Sequence, residues 1–348
     1  MPKVAFIISA YNSADTLPQT LASLRLSTLS DWEAIVVNDR SQDETGDILE
    51  GFSSIEPRLK VIHNEENIGL AASLNKCIDA ARSPYLARID ADDILLPDRI
   101  FRQAEYLEEC PDVGVVGTGA YIVDAFGKYT GYKAAIPTSI LPWAVLWRTP
   151  FIHPSVMMRY DVIHEFNLRY DPDLKNCEDF EFWGRLLRVT HGANLEIPGI
   201  CYRVHTNQVT KNNVDFRLDL HREISKKHLS NLMDIPVTDS MLEAQRGYFL
   251  GEKPRGQNVP NFEEALEWRT FVARIDGGKA SDGAFQKGFG FDLLRGFKRF
   301  SPAALILGGS EANFRRMCVI NSAKDFLRYG CGKKIWEYRS THLNSHTL

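Results

Sequence analysis

The sequence predicts an α/β fold, a mostly parallel sheet flanked by helices, followed by a mainly α-helical C-terminal region. Three observations carry this. Residues 4–8, 32–38, 59–63 and 85–90 are short apolar runs of the kind that strands buried on both faces require. Between them lie segments whose apolar residues recur at helical spacing, such as Leu17, Leu21 and Leu24. The runs also end in polar clusters, at Tyr11-Asn12, at Asp39 and at Asp90-Ala91-Asp92-Asp93, where an open α/β sheet binds its ligands.

The elements follow in order. Ser13 is a candidate N-cap for the first helix, with Pro18 tolerated in its first turn. After the second strand, Ser41-Gln42-Asp43-Glu44 fits a capping box that opens the next helix. Residues 59–63 form the third strand, 70–81 a helix and 85–90 the fourth strand. A helix over 98–109, with Ile100, Ala104 and Leu107 on one side, leads to a fifth strand at 113–116. Residues 121–142, rich in Gly, Tyr and small side chains, predict an irregular hairpin and loop. His153-Pro154 turns the chain into another strand ending at Arg159. A helix from Glu178 places Phe182, Leu186 and Val189 on its apolar face and leaves Arg185 and Arg188 to solvent. Residues 201–205 form a short alternating strand. Beyond about Asn213 the pattern is helical over 216–232, 239–250 and 262–275, with a linker at 252–261 and a glycine-rich break at 277–290.

Composition narrows the class. With 348 residues, 44% hydrophobic and 25% charged, the chain is an ordinary globular protein able to bury a full core. The net charge of −4 is unevenly spread: from Gln286 onward there are eleven Lys and Arg against four acids, which leaves about −11 for the rest. A nucleic-acid partner is disfavoured, because the pocket-bearing part is acidic. The six cysteines, at 77, 110, 177, 201, 318 and 331, lack Cys-x-x-Cys spacing and predict reduced thiols. No stretch approaches the ~18 apolar residues of a membrane span, and the first residues run straight into a strand; the expected address is cytoplasmic. Gly-x-Gly-x-x-Gly and Gly-x-x-x-x-Gly-Lys-Ser/Thr are both absent, which argues against dinucleotide and P-loop enzymes.

Asp90, Asp92 and Asp93 put three carboxylates into four positions at a strand end. Such charges repel unless a cation sits among them, and oxygen-only ligands suit Mg²⁺ or Mn²⁺ better than zinc. Alone, an Asp-x-Asp is equally an acidic turn. Tyr11 is placed either to stack on a base or to pack, and Asp39 either to accept hydrogen bonds from a base or ribose or to make a turn.

Taken together, Ile8-Ser9-Ala10-Tyr11-Asn12, Val37-Asn38-Asp39-Arg40-Ser41, Asn67-Ile68-Gly69-Leu70 with Asn75, and Ile89-Asp90-Ala91-Asp92-Asp93 resemble, in order and spacing, the signatures of family 2 glycosyltransferases with the GT-A fold. The resemblance implies a nucleotide-sugar donor, usually a uridine diphosphate sugar, a divalent metal and inversion at the anomeric carbon. It places Ala10, Tyr11, Asp39 and Asn67 around the nucleotide, Asp90 and Ala91 at the ribose or a metal-bound water, and Asp92 on the metal. In one departure, Ser73-Leu74-Asn75 stands where many members carry Ala-Arg-Asn, so a basic group near the donor is missing there.

A second acidic pair, Glu178-Asp179, precedes an amphipathic helix. Helix-dipole capping accounts for acids in that position, and the pair also resembles the family's Glu-Asp motif. Under the resemblance, Asp179 is the base that takes the acceptor hydroxyl's proton and Glu178 orients groups around it. The segment Tyr202-Arg203-Val204-His205 resembles the family's Tyr-Arg-x-His. It offers His205 as a cation or metal ligand facing the leaving diphosphate and Arg203 for the donor or the acidic cluster.

These expectations combine into an inverting, metal-dependent glycosyltransferase with a GT-A domain over residues 1–210 and a helical region over 211–348. It would use Mn²⁺ or Mg²⁺ and transfer to a glycan or lipid-linked acceptor in assembly of a bacterial surface polysaccharide. Residues 291–300, which mix Phe with Lys and Arg, suit a peripheral contact with the cytoplasmic membrane face, and an oligomer is compatible. A sugar nucleotidyltransferase would need a Gly-rich basic loop after the first strand, which 9–16 lacks. A non-catalytic nucleotide-sugar-binding module would not need both acidic motifs.

Overall fold

The computed structural model of the protein describes residues 1–204, 214–233 and 237–245. β1 (Val4–Ala10), β2 (Trp32–Asn38), β3 (Leu59–His63) and β4 (Tyr85–Arg88) lie parallel in the order β3-β2-β1-β4. The connections are α1 (Leu17–Arg25), α2 (Thr45–Ile55) and α3 (Leu70–Ala80). Phe6, Ile7, Ile8, Ile35 and Val36 are all fully buried, so both faces of the sheet are covered and the runs are continuous rather than alternating.

The starts of the first two helices depart from the sequence expectation. α1 begins at Leu17, not after Ser13: the Ser13 carbonyl accepts the amides of Thr16 and Leu17 in a turn that precedes the helix. Ser41 and Glu44 form no capping box either. Ser41 Oγ accepts the Asn12 amide, while Asp43 accepts the amides of Ala14 and Thr45. The polar residues expected to cap helices instead tie the loop after β1 to the loop after β2.

Beyond β4 the sheet becomes mixed. β5 (Ile94–Leu95), β6 (Val113–Val123), β7 (Tyr129–Lys133), β8 (Met157–Arg159) and β9 (His191–Arg203) extend it in the order β4-β8-β6-β9-β5, with β7 on β6. β6 and β9 are parallel and the remaining pairs of this half antiparallel. β6 runs seven residues past the expected end at Val116 because its glycines make room for neighbours. A Cβ on Gly117 would meet Asn194 Oδ1 at 2.3 Å, and one on Gly119 the Tyr132 hydroxyl at 2.4 Å. β9 likewise begins at His191 rather than Cys201.

α4 (Arg99–Glu109) lies where expected, and α5 (Leu141–Ala144) and α6 (Tyr160–Glu165) are short. α7 (Glu178–Leu186) buries Phe182 and Leu186, but Val189 lies past its end and is exposed. Arg185 is not left to solvent: it pairs with Glu181 at 2.7 Å and donates to the Arg169 carbonyl. α8 (Val214–Met233) and α9 (Asp239–Gln245) are the described helices of the C-terminal region.

The chain divides into two compact units, residues 1–141 with 148–225, and residues 142–147 with those from 226 onward. The first holds the whole sheet. In the second, the Trp143 and Trp147 rings lie 5.5 Å apart and Lys226 pairs with Asp239 at 2.6 Å. The linker, the glycine-rich break and the basic aromatic segment at 291–300 lie outside the described residues. Among the described residues no helix is long and apolar enough to cross a membrane.

Candidate active site

β4 stops at Arg88, and Asp90, Asp92 and Asp93 occupy the turn between it and β5. Two elements fix this turn by its main chain. From α1, Thr20 Oγ1 donates to the carbonyls of Ala91 at 2.9 Å and Asp93 at 2.7 Å. From β9, the Arg203 amide donates to Asp93 Oδ1 at 2.9 Å and Arg203 Nε to the Asp92 carbonyl at 2.8 Å. The three side chains each offer a carboxylate oxygen within 4.8 Å of the others. Burial raises the pKa of Asp90, with Arg88 opposing; burial and then the charges of Asp90 and Asp92 push that of Asp93 well above its ordinary value. Asp93 Oδ2 is buried and has no hydrogen-bond partner. An oxygen-only donor set with an unsatisfied buried acceptor fits a hard divalent cation such as Mg²⁺ or Mn²⁺.

Arg88, which the sequence reading passed over, is the counter-charge of the turn. Its side chain is 2% exposed, and its guanidinium grips both oxygens of Asp90, one bond measuring 2.9 Å. Arg99 lies behind it, donating to the carbonyls of Arg88, Pro154 and Val156. The signal was present: Arg88 is the one charged residue of an otherwise apolar strand.

The second acidic pair opens α7. Asn176, with φ +67°, adopts the left-handed conformation that asparagine tolerates and turns the chain into the helix. Asp179 Oδ1 accepts the Phe180 amide at 2.7 Å and Oδ2 accepts Thr149 Oγ1 at 3.0 Å. Burial, then the charge of Asp179, lifts Glu178 to about 7. Burial also raises Asp179, against the Thr149 hydrogen bond. Asp179 in turn helps raise Asp90, so the charge of the second acidic group is felt at the first.

Glu178 carries a stability consequence. Its pKa is higher in the fold than in the unfolded chain, so the native state binds the proton more tightly and stability falls as pH rises from about 4.5 to about 7. The full penalty is about 3 kcal/mol. Glu178→Gln is expected to flatten this slope and to melt higher than the parent at pH 8, as thermal denaturation at pH 5 and pH 8 would show. An unchanged slope would mean that Glu178 ionises without penalty.

The nucleotide end is built by loops. Tyr11 is 46% exposed at the end of β1, and Ala10 is buried opposite Asn38. Asp39 is buried, and its carboxylate is heavily used: Oδ1 accepts Asn64 Nδ2 at 2.8 Å and the Ile68 amide at 2.9 Å, and Oδ2 accepts the Gly69 amide at 2.8 Å. Gly69 reaches that geometry at φ +87°, where glycine is favoured. Asn67 Nδ2 donates to the Asp39 carbonyl. Asp39 therefore holds the 64–69 loop onto β2. Asn75 exchanges two hydrogen bonds with the main chain of Tyr170, and Leu74 is fully buried. Arg203 also donates to Gln19 and to the Ala125 carbonyl. His205 lies outside the described residues.

A model of Glycosyl transferase family 2 matches residues 5–166 of the chain. The putative glycosyltransferase EpsE of Bacillus subtilis is 30% identical over 241 residues, which cover 68% of this chain and 85% of that protein. The chain belongs to glycosyl transferase family 2. A putative teichuronic acid biosynthesis glycosyltransferase of the same organism, TuaG, is 36% identical to this glycosyltransferase over 61% of its chain and 82% of the relative. Among solved structures, Staphylococcus aureus TarS 1–349 in complex with UDP-GlcNAc superposes with a TM-score of 0.55 at 17% identity, over 86% of this chain and 93% of that 1–349 chain. That likeness shows the fold: this glycosyltransferase has the GT-A fold.

Proposed function

We propose that this glycosyltransferase is an inverting, metal-dependent enzyme that moves a sugar from a nucleotide sugar, a uridine diphosphate sugar first among them, to a hydroxyl of a glycan or lipid-linked acceptor. The observation that carries the reading is the cluster of Asp90, Asp92 and Asp93 carboxylates within 4.8 Å of one another where β4 ends, with the charge of Asp179 adding to the raised pKa of Asp90. Inversion needs a base on one side of the anomeric carbon and a neutralised leaving group on the other. TarS, solved with UDP-GlcNAc, and TuaG, named for teichuronic acid biosynthesis, support the uridine donor and the setting of bacterial surface polysaccharide.

In this reading Asp92, with Asp90 beside it, holds Mn²⁺ or Mg²⁺, and His205 is assigned to the same side. The cation supplies charge neutralisation at the departing diphosphate. Asp179 accepts the acceptor hydroxyl's proton, held in place by Thr149, while Glu178 orients groups around it. Tyr11 stacks on the base, Ala10 and Asn67 line its pocket, and Asp39 orders the loop that contacts it. Ala91 faces the ribose with Asp90, and Arg203 fixes the metal-binding turn. Catalysis is assigned to residues 1–210.

The test is turnover of a panel of nucleotide sugars with Mn²⁺ and with EDTA, with the product anomer read by proton NMR. One uridine diphosphate sugar consumed only with metal, with inverted product, is expected. Retention of configuration, or no turnover of any nucleotide sugar, would overturn the reading.

A further inference from the structure

The centre is rich in acid, and its cations are committed. Arg88 is held by Asp90, and Arg203 by Gln19 and main-chain carbonyls. Leu74, where the family resemblance places a basic side chain, is buried in the core. A departing nucleoside diphosphate brings negative charge into these surroundings, and a fixed cation there would stabilise the transition state more than the ground state.

Lys133 is placed to be that cation. It ends β7 and pairs with Ala120 of β6, which on its other side pairs with Ile200 of β9. Tyr202, two residues further along β9, therefore projects from the same face of the sheet as Lys133. Lys133 Nζ stands 5.7 Å from the centroid of the Tyr202 ring. Tyr202 in turn borders the acidic turn, since its neighbour Cys201 pairs with Ile94, the residue after Asp93. Burial and the charges of Asp90, Asp93 and Asp92 raise the pKa of the Tyr202 phenol. The residue is exposed as a whole, but burial around its ammonium end lowers the pKa of Lys133, and the Asp179 carboxylate opposes that shift. Lys133 thus stands beside Tyr202, on the strand that borders the acidic turn, and no described residue makes an ion pair or side-chain hydrogen bond with it.

We propose that Lys133 binds the phosphoryl oxygens of the donor's diphosphate and stabilises the negative charge that develops there during transfer. This rests on the nucleotide-sugar reading above. As the acceptor oxygen bonds to the anomeric carbon, its proton passes to Asp179, the bond from that carbon to the phosphate oxygen breaks, and the electron pair stays on the diphosphate. Lys133 keeps its proton throughout.

Lys133 is a surface residue at a strand end, so Lys133→Met and Lys133→Arg are compared with the parent by calorimetry and steady-state kinetics in Mn²⁺. Lys133→Met is expected to bind uridine diphosphate at least tenfold more weakly, to bind uridine as the parent does, and to lose about 100-fold in kcat/KM for the donor. Lys133→Arg should recover most of both losses. Equal diphosphate affinity in parent and Lys133→Met would overturn the proposal, as would a change confined to the KM of the acceptor. If the parent itself binds no nucleoside diphosphate, the nucleotide-sugar reading falls and this proposal with it.

Discussion

Replacing Asp179 by Asn is expected to lower kcat by about 10²- to 10⁴-fold, the usual contribution of a positioned general base. Donor affinity in Mn²⁺ should stay at the parent value. The amide keeps the shape of the carboxylate and an oxygen able to accept the Thr149 hydroxyl, so the start of α7 is preserved while the proton acceptor is lost. Transfer rate at saturating donor, with donor binding by calorimetry, separates the two effects. A variant that transfers at the parent rate would place the base elsewhere, with Glu178 the next residue to test. In the parent, kcat should rise with pH as the Glu178-Asp179 pair loses its protons, because burial raises both pKa values and the base works only when ionised. Glu178→Gln removes a neighbouring negative charge and should shift that rise to lower pH.

Replacing Asp92 by Asn is expected to weaken Mn²⁺ binding at least 100-fold and donor binding with it, since loss of a metal ligand removes several kcal/mol of charge stabilisation. The same change relieves Asp90 and Asp93, whose pKa values Asp92 raises, so the variant should melt no lower than the parent at pH 7. Metal binding followed by electron paramagnetic resonance, with a melting curve beside it, tests both halves. Unchanged Mn²⁺ affinity would remove Asp92 from the metal site.

The N-terminal half of the fold was legible because burial on both faces writes itself as apolar runs: β2, buried along its whole length, matches the expected span residue for residue, and so does β3, the partly exposed edge strand beside it. The second half was harder. β6 passes through Gly117 and Gly119, whose missing side chains are compensated by Asn194 and Tyr132 from other strands, and no local pattern reports such a partner. Ser13 and Ser41 misled for a related reason: the Ser13 amide donates to Thr45 Oγ1 and the Ser41 hydroxyl accepts the Asn12 amide, and a serine that ties two loops together looks like a cap in one dimension. Within the site, the acids were visible as motifs. Arg88 was passed over although its lone charge in an apolar strand, two residues before Asp90, marked it; Lys133 was not visible, because its significance depends on pairing across strands far apart in the chain.

The most direct test of the account is calorimetric titration of the parent and of Asp92→Asn with uridine diphosphate, in Mn²⁺ and then in EDTA. Saturable binding to the parent in Mn²⁺, abolished by EDTA and strongly reduced in Asp92→Asn, is the result expected if the acidic turn and the loops after β1 and β2 form one metal-dependent nucleotide site. The same affinity in Mn²⁺, in EDTA and in the variant would contradict it.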